Sequence, residues 1–326
     1  MHSRTILVAA QCLLAVACSG AALAADGPIG ELSVHLEKSL PPATRGDWAF
    51  GVMADPHVWY YGRPNNEAPF RKQLQRWASA KLDFGIILGD FGGGKGSRDD
   101  AAGQVTAFKK ILGEVKGRPP VVAVCGNHDW FEGAGKFSWF DAIYPDVLRH
   151  RRSADGTGSD IYLYYSFDAG GCHFVALDAG RQVGRKVYAE TVPEVQLDWL
   201  KRDLAANLGK PTVILLHEPV ATVKGKRLAF LLFRENSGEK LMRLVERFPD
   251  VKYLIHGHVH RDYQYRWRGK TIIITCLNDL AFKVSGKKIT PSRIGTLGKL
   301  TPIDLSKIPD FGRWPDTGKP KVNEDR

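Results

Sequence analysis

Five short polar motifs constrain this chain more than any other feature, because each follows directly on an apolar, β-branched run. The motifs are Asp55-Pro56-His57, Gly89-Asp90, Gly126-Asn127-His128-Asp129, His217 and Gly257-His258-Val259-His260. The runs before them are residues 50–54, 84–88, 121–125, 213–216 and 251–255. Such runs predict buried strands, so every polar cluster lies where a strand would end. Ligands of open α/β sheets collect at those ends, and the sequence therefore predicts one site built from all five motifs.

Apolar residues at helical spacing lie between the predicted strands. They mark segments 70–78 and 101–115, each between two motif-bearing strands, which indicates β-α-β order. The segment 191–207 carries a capping box, Thr191 with Glu194, and stops before Gly209 and Pro211. Residues 237–248 form a similar helical pattern before the last motif-bearing strand.

Two pairs of short runs add antiparallel hairpins, 162–167 with 172–177 and 263–267 with 271–276. The predicted sheet is therefore mixed. No repeat or low-complexity linker interrupts the chain, so one domain is predicted over residues 25–284. From residue 285 to residue 326, prolines, basic residues and weak periodicity predict a tail that packs on the domain or is partly disordered.

The first residues predict export. Arg4 precedes an apolar stretch, and Ala22-Leu23-Ala24 resembles a cleavage signal, so residues 1–24 are interpreted as a signal peptide and the mature protein as periplasmic or secreted. Lipoprotein anchoring at Cys18 is a less favoured alternative, because the position three residues before it holds Ala15 rather than a larger aliphatic residue. No later stretch reaches 18 uninterrupted apolar residues, so no transmembrane helix is expected.

Composition and charge limit the partners. The chain has 326 residues, of which 44% are hydrophobic and 25% charged, as in soluble globular enzymes. Its formal net charge of +11 favours small anionic partners. Nucleic acid is compatible with that charge, but no nucleic-acid-binding motif accompanies it.

The three cysteines outside the signal segment, Cys125, Cys172 and Cys276, lie in or beside apolar runs, which favours buried thiols over a disulfide framework. Oligomeric state has no signal in the sequence.

The order D-x-H, G-D, G-N-H-D, H and G-H-x-H resembles the calcineurin-like metallophosphoesterase superfamily. The resemblance spans residues 55–260 and implies a four-layer αββα sandwich, with two mixed β-sheets flanked by helices. It implies that one metal is held by Asp55, His57, Asp90 and His260. The second metal would be held by Asp90, Asn127, His217 and His258, so that Asp90 bridges the pair.

Imidazole and carboxylate ligands together favour two divalent transition metal ions, Mn, Fe, Co, Ni or Zn, over Mg or Ca. Ions about 3.5–4 Å apart repel each other, and the shared carboxylate of Asp90 offsets that repulsion. His258 and His260, at i and i+2, are expected to point the same way on a continuing strand. His173 lies inside an apolar run and is interpreted as structural.

The implied mechanism is in-line attack on phosphorus by a hydroxide that bridges the metals. His128 is the predicted general acid for the leaving group, because histidine donates protons near neutral pH. Asp129 is predicted to orient and charge-stabilise the His128 ring. A metal-dependent binding protein without turnover is the alternative outside enzymes.

Departures from several subfamilies narrow the predicted substrate. Phe91-Gly92-Gly93 follows Asp90, where the superfamily's protein phosphatases have an Asp-Arg-Gly motif and its purple acid phosphatases a tyrosine. We therefore expect a phosphodiesterase or pyrophosphohydrolase of small nucleotide-like or glycerophospho compounds. A phosphomonoesterase and a lipid-headgroup or envelope phosphoesterase are the alternatives. The aromatic residues Trp59, Tyr60, Trp130 and Phe131 either line the cleft and contact substrate or pack the loops against the body.

Overall fold

The computed structural model describes residues 38–312, apart from residues 61–62, 94–97, 130–151, 154–160, 180, 184–185, 189–190, 225–226 and 231–235. Within these residues the main helices are α1 (Glu67–Ser79), α2 (Arg98–Glu114), α3 (Glu194–Ala206) and α4 (Ser237–Glu246). A 3-10 turn spans Asn127–Asp129. No helix among the described residues combines the length and the apolar character needed to cross a membrane.

Two six-stranded sheets form the body, with strands numbered in chain order. The first sheet has the order β20-β19-β18-β1-β4-β5 and contains Asp47–Met53 (β1), Phe84–Leu88 (β4), Val121–Val124 (β5), Leu280–Ser285 (β18), Lys288–Ile294 (β19) and Leu300–Pro302 (β20). The second has the order β16-β17-β15-β12-β9-β8 and contains Tyr165–Ala169 (β8), Cys172–Leu177 (β9), Thr212–Leu216 (β12), Val251–His256 (β15), Tyr263–Trp267 (β16) and Lys270–Ile274 (β17). In the first sheet the parallel pairs β1-β4 and β4-β5 lie at one side and the other pairs are antiparallel. In the second sheet three parallel pairs lie at the centre, between antiparallel pairs at both edges, so both sheets are mixed.

Short ribbons complete the described strands. They pair Trp59–Tyr60 (β2) with Arg63–Pro64 (β3), Arg152–Ser153 (β6) with Ile161–Tyr162 (β7), Arg181–Val183 (β10) with Lys186–Tyr188 (β11), and Ala221–Lys224 (β13) with Arg227–Phe230 (β14). The two hairpins predicted from the sequence are confirmed as β8-β9 and β16-β17.

The two faces of the second sheet contribute to two different hydrophobic cores. In β9, Phe174 and Ala176 belong to the core shared with the first sheet, whereas Val175 and Leu177 belong to the core beneath α3 and α4. Successive side chains of a strand point to opposite faces, so one strand serves both cores. Phe50 of β1 crosses the gap between the sheets, with its ring centroid 5.2 Å from that of Phe174. The predicted αββα sandwich with two mixed sheets is confirmed.

A tryptophan attaches the helical layer to the first sheet. Trp77 of α1 is fully buried, and a Cβ atom placed on Gly85 of β4 would lie 2.0 Å from its ring. Only glycine leaves room for this close approach. Burying one such aromatic side chain stabilises the fold by about 1.5–3 kcal/mol.

The fold continues past residue 285, so the domain boundary predicted there is wrong. Strands β19 and β20 continue the first sheet, and β19 pairs with β18 over six residue pairs from Leu280↔Arg293 to Ser285↔Lys288. A short turn through Gly286, whose φ is 55°, joins them. Residues 313–326 of the predicted tail and residues 1–24 of the predicted signal peptide lie outside the described residues.

Helix α3 begins three residues later than its predicted capping box. Pro193 precedes the first turn, and no side chain caps the helix. The N–H of Thr191 instead donates to the Ala179 carbonyl, which ties this segment to the end of β9. The cysteines Cys125 and Cys172 are buried and Cys276 is partly exposed, and all three are free thiols.

Candidate metal centre

All five motifs lie at one edge of the sandwich, at the carboxyl ends of strands. Asp55, Asp90 and Asn127 follow β1, β4 and β5 of the first sheet. His217 follows β12 of the second sheet, and the segment with His258 and His260 follows β15. These are neighbouring strands in each sheet, so the loops converge. The predicted meeting of the five motifs is present.

The potential ligand atoms form two clusters. Asp55, His57, Asp90 and His260 each offer a nitrogen or oxygen within 4.8 Å of the others, and Asp90, His217 and His258 form a second such group. Asp90 belongs to both. The Oδ1 atom of Asn127 lies 3.0 Å from Nδ1 of His258. The structure thus brings together every residue that the resemblance implied as a ligand, in the two implied sets.

Main-chain carbonyls orient two of the imidazole rings. Nδ1 of His57 is 2.8 Å from the Gly92 carbonyl oxygen, and Nδ1 of His217 is bonded to the Leu88 carbonyl oxygen. The opposite nitrogens face Asp90, with Nε2 of His57 at 3.5 Å and Nε2 of His217 at 3.1 Å from its Oδ2. A carbonyl that holds one ring nitrogen fixes the tautomer in which the other carries a lone pair for a metal. Carbonyl partners carry no sequence signal, so sequence reasoning missed them.

The donor set fits divalent metal ions. Nε2 of His217 is buried and has no hydrogen-bond partner among the described residues, although it lies beside the Asp90 carboxylate. An imidazole nitrogen and a carboxylate oxygen 3.1 Å apart are placed so that both can bind one cation. Burial would lower the pKa of His217, but the charges of Asp90 and Asp55 raise it well above its usual value. The cluster therefore attracts positive charge.

Asp90 carries the corresponding negative charge at the centre. Burial alone would raise the pKa of Asp90, yet His217, His128 and His57 together lower it. His258 behaves differently, because burial and the charge of His217 lower its pKa to about 4. A neutral imidazole there can act as a metal ligand without first losing a proton.

The backbone turns left-handed where it presents these side chains. The φ angles are 55° at Asp55, 39° at His57, 55° at Asp90, 72° at His258 and 51° at His260. The expectation that His258 and His260 project from a continuing strand is wrong, because β15 ends at His256. Their side chains converge through the turn that follows.

Among the described hydrogen bonds, those of Asp129 go to backbone groups and not to the His128 ring that it was predicted to orient. Its carboxylate accepts hydrogen bonds from the backbone N–H groups of Asp90 at 2.9 Å, Phe91 at 2.9 Å and Gly126 at 2.7 Å. The carboxylate is fully buried between the loops after β4 and β5. Asp129 therefore joins the two loops that carry Asp90 and Asn127, because backbone donors occupy its oxygens.

His128 is held at the centre by other groups. Its backbone N–H donates to Oδ1 of Asp90 at 2.9 Å, and its Nδ1 is 2.8 Å from the Gly93 carbonyl oxygen. Its ring centroid lies 5.2 Å from that of His57. The residue is half-buried, so it borders the clusters and still reaches the surface.

Of the aromatic candidates, only Trp59 has a described side chain. Its ring lies against α2, where a Cβ atom on Gly103 would be 3.8 Å away. This contact corresponds to the packing alternative for that ring. Trp130, Phe131 and the side chain of Tyr60 lie outside the described residues.

Known proteins resemble this chain in sequence and fold. The 3',5'-cyclic adenosine monophosphate phosphodiesterase CpdA of Escherichia coli K12 is 36% identical over 133 residues, which cover 38% of this chain and 47% of that enzyme. The glycerophosphodiester phosphodiesterase GpdQ of Enterobacter lignolyticus is 24% identical over 165 residues, which cover 50% of this chain and 52% of GpdQ. The chain thus spans about half the length of these relatives.

A solved structure matches the fold. The dimetal phosphatase from Danio rerio superposes with a TM-score of 0.57 at 16% identity, covering 76% of this chain and 96% of that one. A sequence model described as calcineurin-like phosphoesterase matches residues 49–262, which include all five motifs. The chain belongs to the calcineurin-like phosphoesterase family.

Proposed function

We propose that this protein is a binuclear metal-dependent hydrolase of small phosphodiesters. One observation carries the proposal: two clusters of ligand side chains share the buried carboxylate of Asp90 at the edge where both sheets end. Asp55, His57, Asp90 and His260 would hold one divalent ion. Asp90, Asn127, His217 and His258 would hold the other. The mixture of imidazole, carboxylate and amide donors favours Mn, Fe, Co, Ni or Zn.

When bound, such ions polarise phosphoryl oxygens and lower the pKa of water so that it attacks phosphorus near neutral pH. The protein's own residues hold His128 in place and supply the proton for the leaving group. Asp90 fixes the backbone of His128 through its Oδ1 atom, and the Gly93 carbonyl fixes the ring through Nδ1. We assign the proton given to the departing oxygen to Nε2 of His128, since Nδ1 is bonded to Gly93. Asp129 keeps the two loops in register through its three backbone contacts.

Cyclic nucleotides and glycerophosphodiesters are the substrates that we favour. The relatives, a 3',5'-cyclic adenosine monophosphate phosphodiesterase and a glycerophosphodiester phosphodiesterase, support a diester as substrate. The net charge of +11 favours an anionic substrate. Pyrophosphates, phosphomonoesters and lipid headgroups are the other substrate classes to compare.

The test is a substrate panel with the metal-reconstituted full chain. We expect turnover of 3',5'-cyclic adenosine monophosphate and of glycerophosphodiesters, with slower cleavage of monoesters, and no turnover by Asp90→Asn. His128→Ala should lower kcat by about 10²–10⁴ for an alkoxide leaving group. It should lower kcat much less for p-nitrophenolate, which leaves without a proton. Metal binding without turnover of any panel member would favour a binding protein instead.

We also propose export through residues 1–24, supported by Arg4, the apolar stretch after it and the Ala22-Leu23-Ala24 signal. The mass of the mature chain from a bacterial host distinguishes the outcomes. An N-terminus at Ala25 in the periplasmic or culture fraction supports cleavage by signal peptidase. A lipid-modified N-terminus at Cys18 would support an anchored lipoprotein, and a mature chain starting at Met1 would contradict export.

A further inference from the structure

An ion pair connects the C-terminal strands to the last metal-ligand loop. Nη1 of Arg293, in β19, lies 3.0 Å from Oδ2 of Asp262. Asp262 comes two residues after His260, whereas Arg293 lies outside the segment 49–262 that matches the family. The side chain of Asp262 is 18% exposed and that of Arg293 is 40% exposed.

The same carboxylate reaches a second loop of the site. Oδ1 of Asp262 accepts the N–H of Cys276 at 3.2 Å, and the Cys276 carbonyl oxygen accepts the N–H of Ala54 at 3.2 Å. Ala54 directly precedes Asp55. One continuous set of contacts therefore runs from Arg293 through Asp262 and Cys276 to the strand end that presents Asp55.

The loop that Asp262 holds needs such a restraint. His258 and His260 both have left-handed backbone conformations, which are unfavourable for residues other than glycine and persist only where surrounding contacts enforce them. The backbone N–H of His258 also donates to the Asp55 carboxylate, at 3.1 and 3.0 Å to its two oxygens. His260 is different, since its side chain is 56% exposed and its ring contacts Asp55 at 3.3 Å. Of the ligand side chains in that loop, His260 depends most on how the backbone is held.

We propose that Arg293 and Asp262 are positioning residues for the ligand set Asp55, His57, Asp90 and His260. They act by fixing the loop of His260 against the strand end of Asp55. The set Asp90, Asn127, His217 and His258 depends less on this restraint, because His217 is bonded to Leu88 and His258 also contacts Asn127. This inference rests on the proposed function, in which these sets bind two metal ions.

A similar ion pair elsewhere in the protein provides a matched control. Nη2 of Arg45 lies 2.8 Å from Oδ1 of Asp83, with side-chain exposures of 50% and 12%. Oδ2 of Asp83 also accepts a backbone N–H, that of Ala49, at 2.8 Å. Asp83 directly precedes β4, at the end of the strand opposite to Asp90. Arg45→Met therefore removes an equivalent pair without touching a ligand loop.

The experiment titrates Co²⁺ into the chelator-treated full chain and follows visible absorption and heat. His260→Ala and His217→Ala assign the two binding steps to their ligand sets. We expect Arg293→Met to weaken Co²⁺ binding about tenfold at the first set, in the range found for groups that orient metal ligands. The second set should lose much less, because His217 and Asn127 lie outside the restrained loop. Arg293→Lys should restore most of the affinity, because the pair has a single nitrogen-to-oxygen contact.

Arg45→Met should bind both ions like the unmodified protein, with an apoprotein Tm lowered about as much as in Arg293→Met. Equal losses at both sets in Arg293→Met, or affinities like those of Arg45→Met, would overturn the inference while leaving two-metal binding intact. Failure of the unmodified protein to bind two Co²⁺ ions would overturn both the inference and the proposed function.

Discussion

Replacing Asp129 with asparagine tests how the two central loops are joined. In the structure three backbone N–H groups donate to one buried carboxylate. Asparagine keeps the shape but offers only one oxygen. Its best orientation places that oxygen at the Oδ2 position, where it still accepts from Asp90 and Gly126. The amide nitrogen then faces the N–H of Phe91, so one buried donor loses its acceptor.

The magnitude follows from these contacts. An orphaned buried N–H costs about 1–3 kcal/mol, and each remaining bond loses about 1 kcal/mol when a charged acceptor becomes neutral. Burial and the neighbouring charge of Asp90 raise the pKa of Asp129, which removes part of that charge contribution. We therefore expect Asp129→Asn to lower the free energy of unfolding by about 2–4 kcal/mol.

The assay is urea unfolding of the chelator-treated protein, read as a shift in midpoint at constant slope. Asp304→Asn is the control, because Asp304 is exposed and accepts the N–H of Ser306, so its unfolding should not change. A loss below about 0.5 kcal/mol in Asp129→Asn, the range of ordinary surface changes, would refute the reasoning. An effect on turnover that disappears in a His128→Ala background would instead restore the role first predicted from the sequence.

Three further predictions concern the same fold. Gly126→Ala should abolish metal binding at both sets in a calorimetric titration, since a Cβ there would lie 2.4 Å from Oδ1 of Asp90. Gly113→Ala is the control and should bind metal normally, because a Cβ there meets no atom within 4 Å on an exposed helix face. His173 should make stability depend on pH. Burial opposes its charge, but hydrogen bonds to Asp203 and Asp168 raise its pKa, so the contribution is complete below about pH 6.5 and is lost as pH rises through the folded-state pKa. Urea unfolding at several pH values should show this loss, and His173→Gln should lack it. Chelation should lower Tm, because each ion present at a hundredfold excess over its Kd adds about 2.7 kcal/mol, whereas Asp90→Asn should show no metal-dependent shift.

Sequence reasoning identified the strands and the convergence of the motifs because both follow from local patterns. Apolar runs ending in polar motifs predicted β1, β4, β5, β12 and β15. The division into two sheets came from the family resemblance alone. Its physical basis is the alternation of β9 and β12 between two cores, which depends on partners distant in sequence.

Where the sequence interpretation failed, a competing local signal was present. Thr191 and Glu194 matched a capping box, but Pro193 disfavours helical backbone at Val192, so the helix cannot extend back to Thr191. Pro291 and the basic residues around it suggested a tail. Proline removes one N–H donor from a strand, yet the turn at Gly286 still pairs β19 with β18. Asp129 was assigned to its sequence neighbour His128, whereas its hydrogen-bond partners include Asp90 and Phe91, 39 and 38 residues earlier.

The left-handed conformations at the site show why residue type and geometry must be considered together. Five of the nine non-glycine residues with positive φ in the described part of the chain are proposed metal ligands. At about 1 kcal/mol or more apiece, their strain approaches the net stability of a domain. Asn, Asp and His tolerate this conformation better than most residues, so the side chains suited to metals are also suited to the turns that present them. From the sequence alone, the His258-x-His260 spacing is as compatible with a strand as with a turn. The turn is supported instead by Asp55, which accepts the N–H of His258, and by Asp262, which follows the motif and accepts the N–H of Cys276.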